Sequence, residues 1–209
     1  MISSLRIWLL ITVCTAFAAP STADSNNADS NNQANNNPLI TMETSMGTIQ
    51  LVLYPAAAPI TVANFLDYVN QGFYNGTLFH RVIAYFMIQG GGLDQELQLK
   101  PTGEPIVSEA NNGLNNERGT IAMARTQDVN SARAQFFINV EDNTHLNYSK
   151  SSGGYTVFGK VITGMEVVDK ISNVDTTNFE RNYDIPVEPV FIISVRAQNP
   201  ESSTQPNNP

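Results

Sequence analysis

One arginine stands inside a run of large apolar residues. Arg81 lies within Phe79–Ile83, a stretch typical of a β-strand, and a second such stretch, Phe86–Gly90, follows after two residues. A buried guanidinium without a partner would be costly, so this charge must lie at the surface or be tightly partnered. The pattern therefore predicts a site at a strand edge, with an apolar floor and one fixed cation above it.

The residues on either side of this motif are also mostly strand-like. Two helices are predicted, one that begins at Pro59 and ends before Gly72 and a short one around Met165–Ile171. This composition of elements predicts a mainly β fold, a closed eight-stranded antiparallel β-barrel capped by two α-helices. Segment 92–118 fits no regular element. The predicted strands are Leu39–Glu43, Thr48–Tyr54, Phe79–Ile83, Phe86–Gly90, Gly119–Ala124, Gln135–Val140, Tyr155–Val161 and Val190–Val195.

The first 23 residues have the pattern of an export signal. Arg6 supplies one positive charge, and the apolar run Ile7–Phe17 is too short to span a bilayer comfortably. Small residues follow, so we expect cleavage after Ala18 or, as the second choice, after Ala23. An exported protein is therefore expected, and a retained anchor helix is the alternative.

Three further segments differ in composition. Residues 24–37 repeat Asp, Ser and Asn and are predicted to form a disordered tether, because they cannot bury apolar surface. Residues 199–209 are polar and contain prolines, and a disordered tail is predicted there. Residues 38–198 remain as one domain.

Charge and residue usage exclude several classes of function. The formal net charge of −8 argues against a nucleic acid or an anionic membrane as partner. Cys14, the only cysteine, lies in the export signal, so disulfides and thiol catalysis are not expected after cleavage. The two histidines, His80 and His145, match no metal-site or hydrolase motif, and no metal or other cofactor is expected.

An apolar pocket is the site that these residues predict. Phe86, Met87 and Leu146 are candidates for its lining, together with either Phe136 or Phe137, which must point to opposite faces of one strand. Simple alternation also places His80 and Arg81 on opposite faces, so that His80 faces the core if Arg81 faces the site.

Four motifs, in this order and spacing, resemble the cyclophilin-type peptidyl-prolyl cis-trans isomerases. The resemblance extends over about residues 39–197. Within the family, the chain is most similar to the exported bacterial type, which fits the export signal. The expected location is therefore the periplasm, and secretion is the alternative. No single motif would suffice, whereas four in order make the resemblance strong. The motifs are Phe79–Ile83 with Phe86–Gly91, Gly119–Arg125, Ser131–Ile138 and Val157–Val161.

The resemblance implies a barrel of eight strands with two helices, and it implies roles for specific residues. The catalytic arginine of the family corresponds to Arg81. The family pattern also selects Phe137 over Phe136 for the pocket. Its proline pocket corresponds to Phe86, Met87, Phe137 and Leu146, and its contacts with the peptide backbone correspond to Gln89, Ala124, Arg125 and Gln135.

Three site positions depart from the best-known eukaryotic members. His145 stands where those proteins have a tryptophan, Tyr155 where they have a histidine, and Arg125 where they have an asparagine. Since the tryptophan binds cyclosporin in those proteins, weak cyclosporin affinity is expected here. The arginine and the apolar pocket are retained, so isomerase activity is expected.

The expected partners are proline-containing polypeptides in an unfolded or extended state. A monomer is the expected form, with no membrane association after signal cleavage. The alternative function is a proline-directed peptide-binding folding helper with little isomerase activity. A barrel that binds carbohydrate or another ligand is a weaker alternative, because no exposed stripe of aromatic residues is evident.

Overall fold

The computed structural model describes residues 37–179 and 182–198. They belong to one compact unit. The predicted export signal, the tether up to residue 36 and the tail 199–209 lie outside the described residues, so those predictions stay open. No helix in the described part of the chain has the length and apolar character that crossing a membrane requires.

The described chain alternates short strands with two α-helices. One turn of 3-10 helix, Thr144–Leu146, also occurs between β6 and β7. In chain order the elements are β1 (Leu39–Thr44), β2 (Gly47–Leu53), α1 (Pro59–Asn70), β3 (Thr77–Ile83), β4 (Met87–Gly90), β5 (Thr120–Met123), β6 (Phe136–Asn139), β7 (Val157–Thr163), α2 (Met165–Ser172), β8 (Thr176–Phe179), β9 (Asn182–Pro186) and β10 (Phe191–Gln198).

Eight of these strands close into an antiparallel barrel in the order β1-β10-β3-β4-β6-β5-β7-β2. This confirms the predicted fold class, and each predicted barrel strand lies within three residues of the observed one. The barrel closes because every strand has an inward apolar face; Ile40 and Met42 of β1 and Ile49 and Leu51 of β2 are fully buried. Closure leaves no unpaired sheet edge around the core.

The two helices bury their apolar faces against this core. Val62, Phe65 and Val69 of α1 follow helical spacing and are buried, as are Val168 and Ile171 of α2. Both helices agree with the prediction, including the start of α1 at Pro59, where the missing N–H costs no hydrogen bond.

Segment 92–118, which the sequence left unassigned, is irregular but attached at several points. Isolated bridges pair Leu93 with Leu99 and Ile106 with Ala132. Ala58, at the N-cap position of α1, makes no capping hydrogen bond with its side chain. Glu109 reaches this helix end instead: its Oε1 accepts from the Ile60 N–H at 3.0 Å and its Oε2 from the Thr61 N–H at 2.8 Å. The segment therefore supplies the cap that α1 lacks.

The hairpin formed by β8 and β9 was not predicted. It is a separate two-stranded sheet that lies against β3, outside the barrel. Thr176, Thr177 and Asn178 are exposed, so this hairpin has little of the apolar alternation by which the other strands were identified.

Candidate active site

A β-bulge in β3 sets the direction of Arg81. The ladder between β3 and β4 pairs Phe79 with Gly90 and Arg81 with Gln89, which makes His80 the extra residue. Because of this bulge, Phe79 and Val82 both join the core, while Arg81 lies outside with 42% of its side chain exposed. Strict alternation would have put Arg81 on the same face as Phe79. The bulge thus places the guanidinium outside the barrel, beside Gln89.

The imidazole of His80 is not available as a general base beside Arg81. Its ring is partly buried and lies with Leu78 and the β8–β9 hairpin around a separate cavity. Burial lowers the pKa of His80 to about 4, although the Leu78 backbone and the Gln135 side chain oppose that shift. Nδ1 has no hydrogen-bond partner among the described residues. His80 is therefore neutral at pH 7.

Arg81 stands at the rim of a small cavity of about 110 Å³. This volume is far below the ~300–1,000 Å³ of drug-sized sites and suits one small ring. All of its lining residues belong to the predicted site; they are Arg81, Phe86, Met87, Gln89, Ala124, Arg125, Phe137, Leu146 and Tyr155. The structure thus brings these nine side chains together, while their roles stay a prediction.

The floor of the cavity is a second hydrophobic cluster on the outer face of the β4-β6-β5 sheet. Alternation sends Phe136 into the main core and Phe137 outward, as the family resemblance implied. Phe137 is 4% exposed and meets the Tyr155 ring edge-on, with centroids 5.5 Å apart. The cluster consists of Met87, Ala122, Phe137 and Val157, with Ile83, Phe86, Leu114, Ala124, Leu146 and Tyr155 partly buried around it.

Polar groups line the side of the cavity next to Arg81. Gln89 donates from Nε2 to Oε1 of Gln135 at 2.9 Å. Gln135 faces an adjoining groove rather than the small cavity. A Cβ on Gly92 would collide with the Gln135 side chain, so glycine leaves the room that this amide pair occupies.

The backbone just after β5 has a free donor and a free acceptor. The Ala124 N–H bonds to the Gln135 carbonyl at 2.9 Å and is not available to a ligand. Among the described residues, neither the Ala124 carbonyl nor the Arg125 N–H has a hydrogen-bond partner. These two groups belong to one trans peptide unit and point in opposite directions, so an extended peptide can pair with this edge through the Arg125 N–H.

The three residues that differ from the eukaryotic members are Arg125, Tyr155 and His145. Arg125 and Tyr155 line the cavity, whereas His145 does not. The Arg125 guanidinium lies 4.5 Å over the Tyr155 ring and donates to the carbonyls of Gly154 at 2.9 Å and Ser152 at 2.8 Å. Its charged end thus holds a neighbouring loop. His145 is exposed, does not line the cavity, and stacks on Phe86 with ring centroids 5.5 Å apart. Its contact with the site is through Phe86.

A model of the cyclophilin type peptidyl-prolyl cis-trans isomerase/CLD family matches residues 39–197. The chain belongs to this family. Among its relatives, a peptidyl-prolyl cis-trans isomerase of Acinetobacter baylyi is 53% identical over 163 residues, which cover 78% of this chain and 87% of that protein. Peptidyl-prolyl cis-trans isomerase B of Escherichia coli is 54% identical over 160 residues, 75% of this chain and 98% of the relative. The chain is thus a peptidyl-prolyl cis-trans isomerase.

Solved cyclophilin structures agree with this fold. A cyclophilin-type isomerase of Cryptosporidium parvum has a TM-score of 0.66 at 25% identity and covers 78% of this chain and 98% of its own. The structure of the same protein in the presence of the dipeptide Ala-Pro has a TM-score of 0.65 at 26% identity, with coverages of 77% and 99%. Proline-containing peptides are accordingly the substrate class of this cyclophilin.

Sequence reasoning missed an asparagine network behind the pocket of this cyclophilin. Asn139 is fully buried and donates from Nδ2 to Oγ1 of Thr120 at 2.9 Å and to Oδ1 of Asn116 at 3.2 Å. Asn116 in turn donates to the carbonyl of Leu146 at 3.1 Å. Asn143 donates to Oδ1 of Asn139 at 2.8 Å. Asn116 lies 23 residues before Asn139, and polar residues at strand ends carry no periodic signal, so the sequence did not indicate the network.

Asp184 was also missed. Its Oδ2 lies 3.6 Å from Nε of Arg81, and this is the one ion pair that Arg81 makes among the described residues. Asp184 lies in the unpredicted hairpin, so the contact could not be expected from the sequence. Within the described chain, no group of three or more His, Cys, Asp or Glu side chains has the arrangement of a metal site.

Proposed function

We propose that this cyclophilin accelerates X–Pro bond rotation in exported proteins as they fold, by a hydrogen bond from Arg81 to the twisted imide. The observation that carries the proposal is the position of the Arg81 guanidinium at the rim of an apolar cavity sized for one ring. The enzyme works as a monomer on extended, proline-containing segments.

The reaction needs no nucleophile or general base. Rotation about the bond has a barrier of about 18–20 kcal/mol, which corresponds to a rate near ~10⁻² s⁻¹ at the upper value. Folding can wait on such a step. No covalent bond breaks, so stabilising the twisted amide is sufficient, and each ~1.36 kcal/mol of stabilisation gives a tenfold rate.

Arg81 is suited to this stabilisation. At the top of the barrier the amide has lost its resonance, and the proline nitrogen carries a free lone pair that a donor can reach. A guanidinium binds this lone pair better than the planar ground state, which is differential binding of the transition state. Arginine is permanently charged and offers a rigid fork of donors. Among the described residues, no hydrogen bond occupies that fork.

The remaining residues hold the substrate in place. Phe86, Met87, Phe137 and Leu146 grip the pyrrolidine ring, so that it cannot turn with the rest of the chain. The Arg125 N–H pairs with the peptide backbone, Ala124 lines the cavity next to it, and Gln89 binds the backbone beside Arg81. Rotation is then confined to one side of the imide bond.

Export to the periplasm is proposed from the sequence. The support is the export-signal pattern of residues 1–23. Fractionation of cells that express the full chain, followed by N-terminal sequencing of the product, tests both the location and the cleavage after Ala18 or Ala23.

The mechanism is tested by Arg81→Lys, with Arg196→Lys as the matched control. Arg196 is an exposed arginine on β10 that does not line the cavity, with 72% of its side chain accessible. In an NMR exchange assay on an Ala-Pro peptide, Arg81→Lys should lose most of the activity while its thermal unfolding stays that of wild type. Wild-type turnover in Arg81→Lys would remove Arg81 from its proposed role. Peptide binding without exchange in the wild type would favour the folding helper.

A further inference from the structure

We propose that Asp184 is a positioning residue that orients the Arg81 guanidinium towards the imide, an inference that rests on the proposed function of Arg81. The Oδ2 atom of Asp184 lies 3.6 Å from Nε of Arg81. This separation is an ion-pair contact and is too long for a hydrogen bond. Asp184 does not line the cavity and therefore acts through Arg81.

The contact is made at Nε and leaves both terminal nitrogens of the guanidinium free. Nε lies at the stem of the fork, so a carboxylate there restrains the plane of the group while both terminal nitrogens stay free. Arg81 is 42% exposed, and an arginine in that position samples several rotamers. A charge at Nε favours the rotamers that keep the fork over the cavity.

The carboxylate itself is held in place by the hairpin. Asp184 has a positive φ of 59°, a conformation that aspartate tolerates better than most residues. Its N–H donates to Oδ1 of Asn178 across the hairpin at 3.1 Å. The next two residues, Ile185 and Pro186, are buried and line a common cavity with Leu78 of β3. The hairpin thus fixes Asp184 relative to the strand that carries Arg81.

The expected effect is moderate. Half-exposed ion pairs are weak, so loss of this one is expected to lower the rate by no more than about fivefold. If Asp184 acts by orienting Arg81, the loss should be in kcat, because the proline pocket and the peptide-binding edge are unchanged.

Asp184→Asn is the informative variant. Asparagine tolerates positive φ as well as aspartate does, so the backbone is kept while the charge is removed. Glu188→Gln is the matched control: Glu188 is an exposed acid four residues along, it makes no ion pair among the described residues, and its substitution changes the net charge equally. Thermal unfolding of both variants verifies the fold.

Two measurements on these variants test the proposal. In the NMR exchange assay on an Ala-Pro peptide, Asp184→Asn should lower kcat about two- to fivefold with little change in KM, whereas Glu188→Gln should match wild type. In ¹⁵N relaxation, the Arg81 Nε–H should become more mobile in Asp184→Asn alone. Equal mobility of Arg81 in both variants, or an unchanged or raised kcat in Asp184→Asn, would overturn the inference.

The two proposals fail in different ways. Wild-type turnover in Arg81→Lys would contradict the proposed function, and the relaxation experiment would still report whether Asp184 orders Arg81. Full loss of activity in Arg81→Lys, together with wild-type kcat in Asp184→Asn, would leave the function standing and remove Asp184 from it.

Discussion

Asn143 donates a hydrogen bond from Nδ2 to the main-chain carbonyl of Phe86 at 2.9 Å. The same amide donates to Oδ1 of the fully buried Asn139. Through Asn116, the network also reaches the carbonyl of Leu146. The main chains of Phe86 and Leu146, two residues of the proline pocket, are therefore both linked to the Asn139 amide. Every polar atom of the Asn139 side chain has a hydrogen-bond partner.

Asn139→Ala should weaken both the fold and the pocket. The substitution leaves buried donors and acceptors of its partners unpaired, each at a cost of about 1–3 kcal/mol in free energy of unfolding. Urea unfolding should show the loss, and NMR titration should show weaker binding of a proline peptide. Asn111→Ala, at an exposed asparagine, is the control. If both variants unfold at the same urea concentration, the network does not contribute as described.

Phe137→Ala should impair catalysis, because it removes a side chain that contacts and positions the proline ring. A substrate that is held less well loses alignment with Arg81, and misplacement of this kind costs about tenfold or more. Exchange on the proline peptide should fall, while binding of a matched non-proline peptide should not change. Because truncating a buried phenylalanine costs about 3–5 kcal/mol, Phe137→Leu should be measured in parallel. Wild-type exchange in both variants would exclude Phe137 from the pocket's function.

The barrel strands could be predicted because their residues alternate or form short apolar runs between turn residues. The surface position of Arg81 was predicted as well, but from the cost of burying its charge, and the structural cause is the bulge at His80. A bulge of this type requires no particular residue, so the sequence contains no signal for it. Phe137 could be selected only through the family resemblance.

The features that the sequence did not indicate depend on contacts between distant or polar residues. The Asn116–Asn139–Asn143 network and the Glu109 cap on α1 join residues up to 49 positions apart. The β8–β9 hairpin has exposed polar residues at Thr176 and Thr177 and therefore no apolar pattern. Hydrophobic periodicity, the main sequence signal, therefore does not indicate the asparagine network, the Glu109 cap or the hairpin.

Glu109→Gln should destabilise the protein without affecting catalysis. The carboxylate accepts two hydrogen bonds from the first turn of α1, where negative charge is also favoured by the helix dipole. Loss of such a cap costs about 0.5–2 kcal/mol. Thermal unfolding should show a lower Tm, with kcat equal to wild type. Glu104→Gln, at an exposed acid of the same segment, should leave Tm unchanged; an equal decrease there would indicate a general charge effect.

His80 should make the stability fall as the pH is lowered through the mildly acidic range. Its pKa is about 4 in the folded protein, against 6.5 as the ordinary value, and burial is the main cause. Above the ordinary pKa, His80 is neutral in both states and the stability is fully present. Between 6.5 and about 4 the unfolded chain binds a proton that the folded protein does not, so the free energy of unfolding decreases as pH falls.

The size of this effect and its source can be measured together. The slope should approach roughly 1.4 kcal/mol per pH unit within that window, as an addition to the slope from the carboxylates. His80→Gln keeps a neutral side chain and should remove the addition, whereas His145→Gln, at the exposed histidine, should retain it. Urea unfolding at a series of pH values gives both slopes. Identical slopes for wild type and His80→Gln would mean that the ring accepts a proton in the folded state near its ordinary pKa. That result would contradict the conclusion that burial lowers the pKa of His80 and keeps the ring neutral beside Arg81.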